Sequence, residues 1–175
     1  MVGYEGAAAV VQAAEEMNAP MLLATNKLAI DHMPIEYWGK LLGSIAKDAS
    51  VPVSVHLDHA MDYETVARAI KSGYTSVMYD GSHLPIKENV RNTKEIVKMA
   101  HAFGVAVEAE IGKLSYVDIQ SHDTEYTDPD EAKEFAELTG TDWLAVSVGT
   151  VQRMQTQEAT IQFDRLEAIQ NLVDL

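Results

Sequence analysis

The sequence predicts an α/β fold with a parallel sheet, and three observations carry that expectation. Short apolar runs rich in β-branched residues alternate with longer segments of helical period. Glycine, proline or aspartate stands at the changeovers, and polar side chains recur where the apolar runs end. At 175 residues and 47% hydrophobic composition the chain is long enough for a core. It is expected to form one domain over residues 1–175, with no low-complexity linker.

Taken in order, an Ala-rich helix over about Gly6 to Glu16 precedes a buried strand, Pro20 to Thr25. A helix follows from Pro34, with Trp38, Leu41, Leu42, Ile45 and Ala49 at helical spacing and Pro34 suited to its first turn. The second strand is Val51 to Asp58, and the helix after it is capped by Asp62 and ended by Gly73. Ser76 to Asp80 is the third strand. From Pro85 to Phe103 a helix carries Ile86, Val90, Val97 and Ala100 on one side and stops at Gly104. Val105 to Glu110 is the fourth strand. Asp128-Pro129-Asp130-Glu131 combines a capping aspartate, a first-turn proline and a third-position glutamate, and Gly140 closes that helix. Trp143 to Val148 is the fifth strand, and Phe163 to Leu172 begins a further helix.

Such units build either an open doubly wound sheet or a closed eight-stranded barrel, and both place their chemistry at strand C-terminal ends. Asp58, Asp80 and Glu110 each end an apolar strand, and Gln152 lies just beyond the fifth. No GxGxxG or GxxxxGK(S/T) loop follows a strand, which argues against nucleotide binding and favours the barrel.

Composition narrows the partners. With 13 Lys+Arg against 27 Asp+Glu the formal charge is −14, which repels nucleic acid and anionic membrane surfaces. A small phosphorylated substrate stays compatible, because backbone N–H groups or a cation bind phosphate locally. The absence of cysteine removes disulfides, thiolate metal sites and thiol redox chemistry. The N-terminal residues do not resemble a signal peptide and no apolar run reaches membrane-spanning length, so a cytoplasmic location is expected.

Asp58 and His59 are the sharpest local feature. A carboxylate beside an imidazole suits a general acid/base next to a metal ligand, and it equally suits a capped turn with an incidental histidine. Asp80 and Glu110 with that imidazole would suit a divalent cation, whereas Asp80 and Ser82 could simply cap the next helix. His56 reads as packing or as a partner of the site, and His101 and His122 as surface residues.

Several stretches, in order and with similar spacing, make the chain resemble the class II ketose-bisphosphate aldolases, which include the fructose- and tagatose-bisphosphate enzymes. They are Val55-His56-Leu57-Asp58-His59, Gly73 through Pro85, Val107-Glu108-Ala109-Glu110-Ile111-Gly112, Tyr126-Thr127-Asp128-Pro129, Val148-Gly149-Thr150 and Phe163-Asp164-Arg165-Leu166. The resemblance implies a (β/α)8 TIM barrel, of which this chain covers roughly strands 2 to 6, against about 250 residues for a typical whole barrel. It implies reversible retro-aldol cleavage of a ketose bisphosphate to dihydroxyacetone phosphate and an aldehyde. Asp58 would be the acid/base, His59 a ligand of the catalytic Zn(2+), and Asp80 and Glu110 positions for a second divalent or monovalent cation. A phosphorylated ketose, carbohydrate metabolism such as glycolysis, and a dimer or tetramer of the full-length protein come with it.

Three departures stand beside the resemblance. After Gly149-Thr150 the family has a His-Gly pair whose histidine is a zinc ligand, whereas this chain reads Val151-Gln152-Arg153, with Gln152 and Arg153 at the histidine and glycine positions; an amide oxygen is a poorer zinc donor than imidazole. The family's first strand would lie before Met1 and its third zinc histidine beyond Leu175, so the chain reads as a part of the barrel. The loop from Gly112 to Tyr126 lacks the family's glycine pair, leaving Asp118 for its acidic residue. Three readings follow: an aldolase, a catalytically inactive relative that binds or assembles, and a magnesium-dependent lyase or isomerase using Asp80 and Glu110.

Overall fold

A computed structural model describes residues 3–112, 126–150 and 160–175. Five strands lie in one sheet in the order β1-β2-β3-β4-β5: Met21–Thr25, Val53–Ala60, Ser76–Tyr79, Ala106–Ile111 and Trp143–Val146. β1 pairs with β2, and β2 with β3, in parallel. Strand order follows chain order without reversal, so the sheet has no switch point of the doubly wound kind.

The chain divides into two compact units, Met1–Asp80 with Ile96–Glu108 and Gly81–Glu95 with Ala109–Leu175. In the first, α1 (Tyr4–Met17), α2 (Lys27–His32), α3 (Ile35–Asp48) and α4 (Tyr63–Lys71) accompany the strands. Val55, Leu57, Val77, Tyr79 and Val107 point to one face of their strands and pack with Trp38, Leu42, Val66 and Val97. Strand periodicity sends the alternate residues, among them Ser54, His56, Asp58, Ser76 and Glu108, to the other face. The barrel-type core is thus apolar on the helix side and polar on the opposite one. Gly39 lets α3 approach α4 closely, because a Cβ there would run into the Ser72 carbonyl oxygen. Tyr74 hydroxyl and Thr25 Oγ1 share a buried hydrogen bond of 2.7 Å, and burial pushes the Tyr74 hydroxyl up to about 12.

In the second unit Ala109, Ile111 and Phe135 form a smaller core with Val90, Leu144 and Val146. α6 (Pro129–Thr139) begins as its sequence predicts: the Asp128 carboxylate accepts from the N–H groups of Asp130 and Glu131. Gly140, with φ 68°, ends it in the left-handed conformation. α7 spans Phe163–Leu172 as expected. α5 (Ile86–Ala102) contributes residues to both units.

Three expectations need correction. Pro34 is the N-cap of α3 and not a first-turn residue, its ψ of 141° being extended. α2 is absent from the sequence reading, because six residues are too few for a helical period; it is held by an Asn26 cap and by Trp38 Nε1 donating to the Ala29 carbonyl at 2.9 Å. β2 does not end at Asp58. It runs through His59 to Ala60, with a register irregularity against β3 between Leu57 and Ala60 that a period of two cannot reveal. Among the described residues no helix is long and apolar enough to cross a membrane.

Candidate functional site

The irregular end of β2 positions the chemistry. His59 has φ of 51°, one of two non-glycine residues at positive φ among the described residues. A left-handed backbone within a strand is costly for a residue with a Cβ and is characteristic of functional positions. It makes two consecutive side chains, Asp58 and His59, available at the same strand end. His59 Nδ1 lies 2.9 Å from Asp80 Oδ2, and His59 Nε2 lies 3.9 Å from Asp58 Oδ1. Asp80 is buried at 4% exposure, whereas the Asp58 and His59 side chains are about one-third exposed. The arrangement therefore has a buried carboxyl group that orients an imidazole and an accessible one on the other side of the ring. Asp80 does more than the helix-capping alternative requires.

His56 is buried on the same strand, its Nδ1 2.9 Å from Ser76 Oγ and its Nε2 3.5 Å from Glu108 Oε2. That distance would admit an imidazolium–carboxylate pair, but burial opposes charge on both partners. It pushes His56 below its ordinary range and Glu108 above the usual carboxylate range, the negative charge of Asp58 adding to the rise of Glu108. The sequence reading includes Glu108 in the Val107–Gly112 stretch and gives it no role. The signal was there: it stands two residues before Glu110, and a strand places both on one face.

Glu110 is 3% exposed near the end of β4. Its backbone carbonyl accepts from Asn89 Nδ2 at 2.9 Å, and Thr93 Oγ1 donates to Asn89 Oδ1 at 3.1 Å, so α5 fixes the strand end. Further on, Thr127 Oγ1 donates to the Ile111 carbonyl and accepts from the Ser147 N–H, both at 2.8 Å. Arg165 donates to the Thr127 carbonyl at 2.8 Å and its guanidinium lies over the Tyr126 ring at 5.5 Å. Gly149, with φ of 115°, leaves no room for a side chain against the Thr160 carbonyl oxygen. Tyr126-Thr127-Asp128-Pro129, Gly149 and Arg165 thus have structural duties. His101 is exposed, as expected, while Asp118, His122, Gln152 and Arg153 lie outside the described residues.

The family model described as fructose-bisphosphate aldolase class-II matches residues 1–175. The chain belongs to the class II fructose-bisphosphate aldolase family. A fructose-bisphosphate aldolase of Thermus caldophilus is 45% identical over 150 residues, covering 81% of this chain and 48% of its own length. The crystal structure of the YdjI aldolase from Escherichia coli K12 superposes with a TM-score of 0.89 at 33% identity, covering 100% of this chain and 62% of that one. Fructose-bisphosphate aldolase from Campylobacter jejuni, at 23% identity and a TM-score of 0.78, shares the fold, with 99% of this chain and 58% of that one covered. This member of the class II aldolases spans about half the length of the curated relative it matches, and its five strands are part of the family's barrel.

Proposed function

We propose that this chain supplies the acid/base and much of the cation site of a class II ketose-bisphosphate aldolase acting in cytoplasmic carbohydrate metabolism. The carrying observation is the His59 ring held between buried Asp80 at 2.9 Å and accessible Asp58 at 3.9 Å. In the cleavage direction the Asp58 carboxylate takes the proton of the hydroxyl at the bond to be broken. That hydroxyl becomes the aldehyde carbonyl as the C–C bond breaks, and the bonding pair passes to the former ketone as an enediolate. The enediolate carbon takes up a proton from solvent to give dihydroxyacetone phosphate, and Asp58 releases its own to solvent, so the protons balance. A positioned base of this kind is worth about 10²- to 10⁴-fold in rate.

An imidazole with a carboxyl beside it is a donor set that fits a divalent cation, and in the first unit His59 with Asp80 has that chemistry. When bound, zinc supplies Lewis acidity toward the ketone oxygen and the developing enediolate. We assign His59 to that ion, and Asp80 and Glu110 to orienting the imidazole and to a second cation. The partner is a phosphorylated ketose, fructose or tagatose bisphosphate, and the intact protein a dimer or tetramer.

A second reading rests on Gln152, which takes the sequence position of the family's zinc histidine: a silent relative that binds without cleaving. Zinc stoichiometry of metal-stripped, zinc-repleted intact protein separates the two. One zinc per chain with turnover of fructose 1,6-bisphosphate supports the aldolase. Zinc and turnover only in a Gln152→His variant support the silent relative.

A further inference from the structure

The polar face of the first unit carries a continuous chain of side-chain contacts. Thr75 Oγ1 lies 2.7 Å from Ser54 Oγ, Ser54 Oγ 3.0 Å from Ser76 Oγ, and Ser76 Oγ 2.9 Å from His56 Nδ1. The far nitrogen of His56 faces Glu108 at 3.5 Å. The chain starts at exposed Thr75 and ends on buried Ser76 and His56. Ser76, on the strand between His56 and Glu108, is small enough for the imidazole to reach past it. Residues of alternate strands meet in this way inside a barrel layer.

Each hydroxyl has a single proton, so the chain has to run one way throughout. Run outward, His56 would donate from Nδ1 to Ser76, Ser76 to Ser54, and Ser54 to Thr75. Thr75 would then be left with the Val55 carbonyl at 3.4 Å as the only outlet for its proton, and Nε2 would have to accept from a protonated Glu108. Run inward, Thr75 donates over the short 2.7 Å contact to Ser54, while it accepts the Val55 N–H at 2.9 Å in either direction. Ser54 then donates to Ser76, Ser76 to Nδ1, and the proton on Nε2 points at Glu108. The Thr75 end of the chain favours the inward direction.

We infer that His56 is a positioning residue: hydroxyls of Thr75, Ser54 and Ser76 fix it as the neutral Nε2–H tautomer, which steadies the Glu108 carboxyl on the face that carries Asp58. This rests on the aldolase reading only for its kinetic consequence. Imidazoles that orient active-site groups are commonly fixed through the nitrogen they do not use, and disturbing such a partner costs about 10- to 100-fold in activity or metal affinity.

The test is long-range proton–nitrogen correlation on the intact protein with ring-¹⁵N histidine, His56 being assigned by the signal lost in His56→Gln. The natural protein is expected to show the Nε2–H tautomer at this position. Ser76→Ala should redistribute the ring between tautomers and lower kcat by about tenfold, with KM and cation stoichiometry unchanged, and Ser76→Thr should restore both. An Nδ1–H tautomer in the natural protein overturns the inference, as does a Ser76→Ala variant with unaltered tautomer. Normal tautomer chemistry with an unaltered kcat in Ser76→Ala overturns the positioning role. Absence of cleavage by the natural protein defeats the aldolase reading and the kinetic role together, while the tautomer is still decided by the spectrum.

Discussion

The ends of β2 and β5 are both strand C-terminal ends, and they are built differently. At β2 the backbone adopts a left-handed conformation at His59, a carboxylate and an imidazole stand partly exposed, and a second carboxylate is buried beside them. Past β5, the Ser147 N–H and carbonyl are both satisfied by Thr127, at 2.8 and 3.0 Å. One end holds strain and charge where a substrate could reach; the other ties its backbone groups to Thr127 and buries the Ser147 hydroxyl, which has no partner among the described residues. Strain and charge at accessible positions signal chemistry, and satisfied, buried bonds signal construction.

Substitutions sharpen this contrast. The largest effect is expected for Asp58→Ala, which should reduce aldol cleavage by about 10²- to 10⁴-fold while zinc stays bound; retained turnover in a coupled assay would remove Asp58 from its role. Next is His59→Gly. It should abolish stoichiometric metal binding, while in the metal-free protein the relief of left-handed strain, about 1–2 kcal/mol, is offset by the loss of the bond to buried Asp80, about 1–3 kcal/mol. Stoichiometric metal retained by the variant would remove His59 from its role.

Thr127→Val reverses the pattern. Removing a hydroxyl that bonds Ile111 and Ser147 should destabilise by about 1–3 kcal/mol in denaturant unfolding, with the cation stoichiometry untouched. Loss of metal with intact stability would break the comparison. The smallest effect concerns Tyr74. Its folded-state pKa of about 12 lies above the ordinary tyrosine value of about 10, so the stability it contributes is complete below pH 10 and is lost as pH rises toward 12. Tyr74→Phe should flatten that alkaline decline relative to the natural chain, and an unchanged decline would assign it to other groups.

Helix boundaries written in capping chemistry were legible from the sequence. Asp128-Pro129 and Gly140 delimit α6, and Asp62 opens α4 by accepting the Thr65 N–H at 2.8 Å. Asp58, His59 and Asp80 were legible as a group because polar residues ending apolar strands of one parallel sheet share an edge. What escaped were features without a period. The irregularity at Leu57–Ala60 alters which residues a strand end presents, and α2 is too short to reveal amphipathicity. Glu108 escaped for another reason: it stands inside its strand and not at the end, although it shares a face with Glu110 two positions later. The duty of Thr127 needed the fold, since its partners Ile111 and Ser147 are distant in sequence.

The hydroxyl chain from Thr75 to His56 also constrains how this sequence can drift. Losing one member strands a polar neighbour, whereas replacing adjoining members together by apolar residues removes donor and acceptor at once and can be nearly neutral. Because buried His56 closes the chain, tolerance requires that it change together with Ser54 and Ser76. In descendants of this chain the three should be kept together or abandoned together.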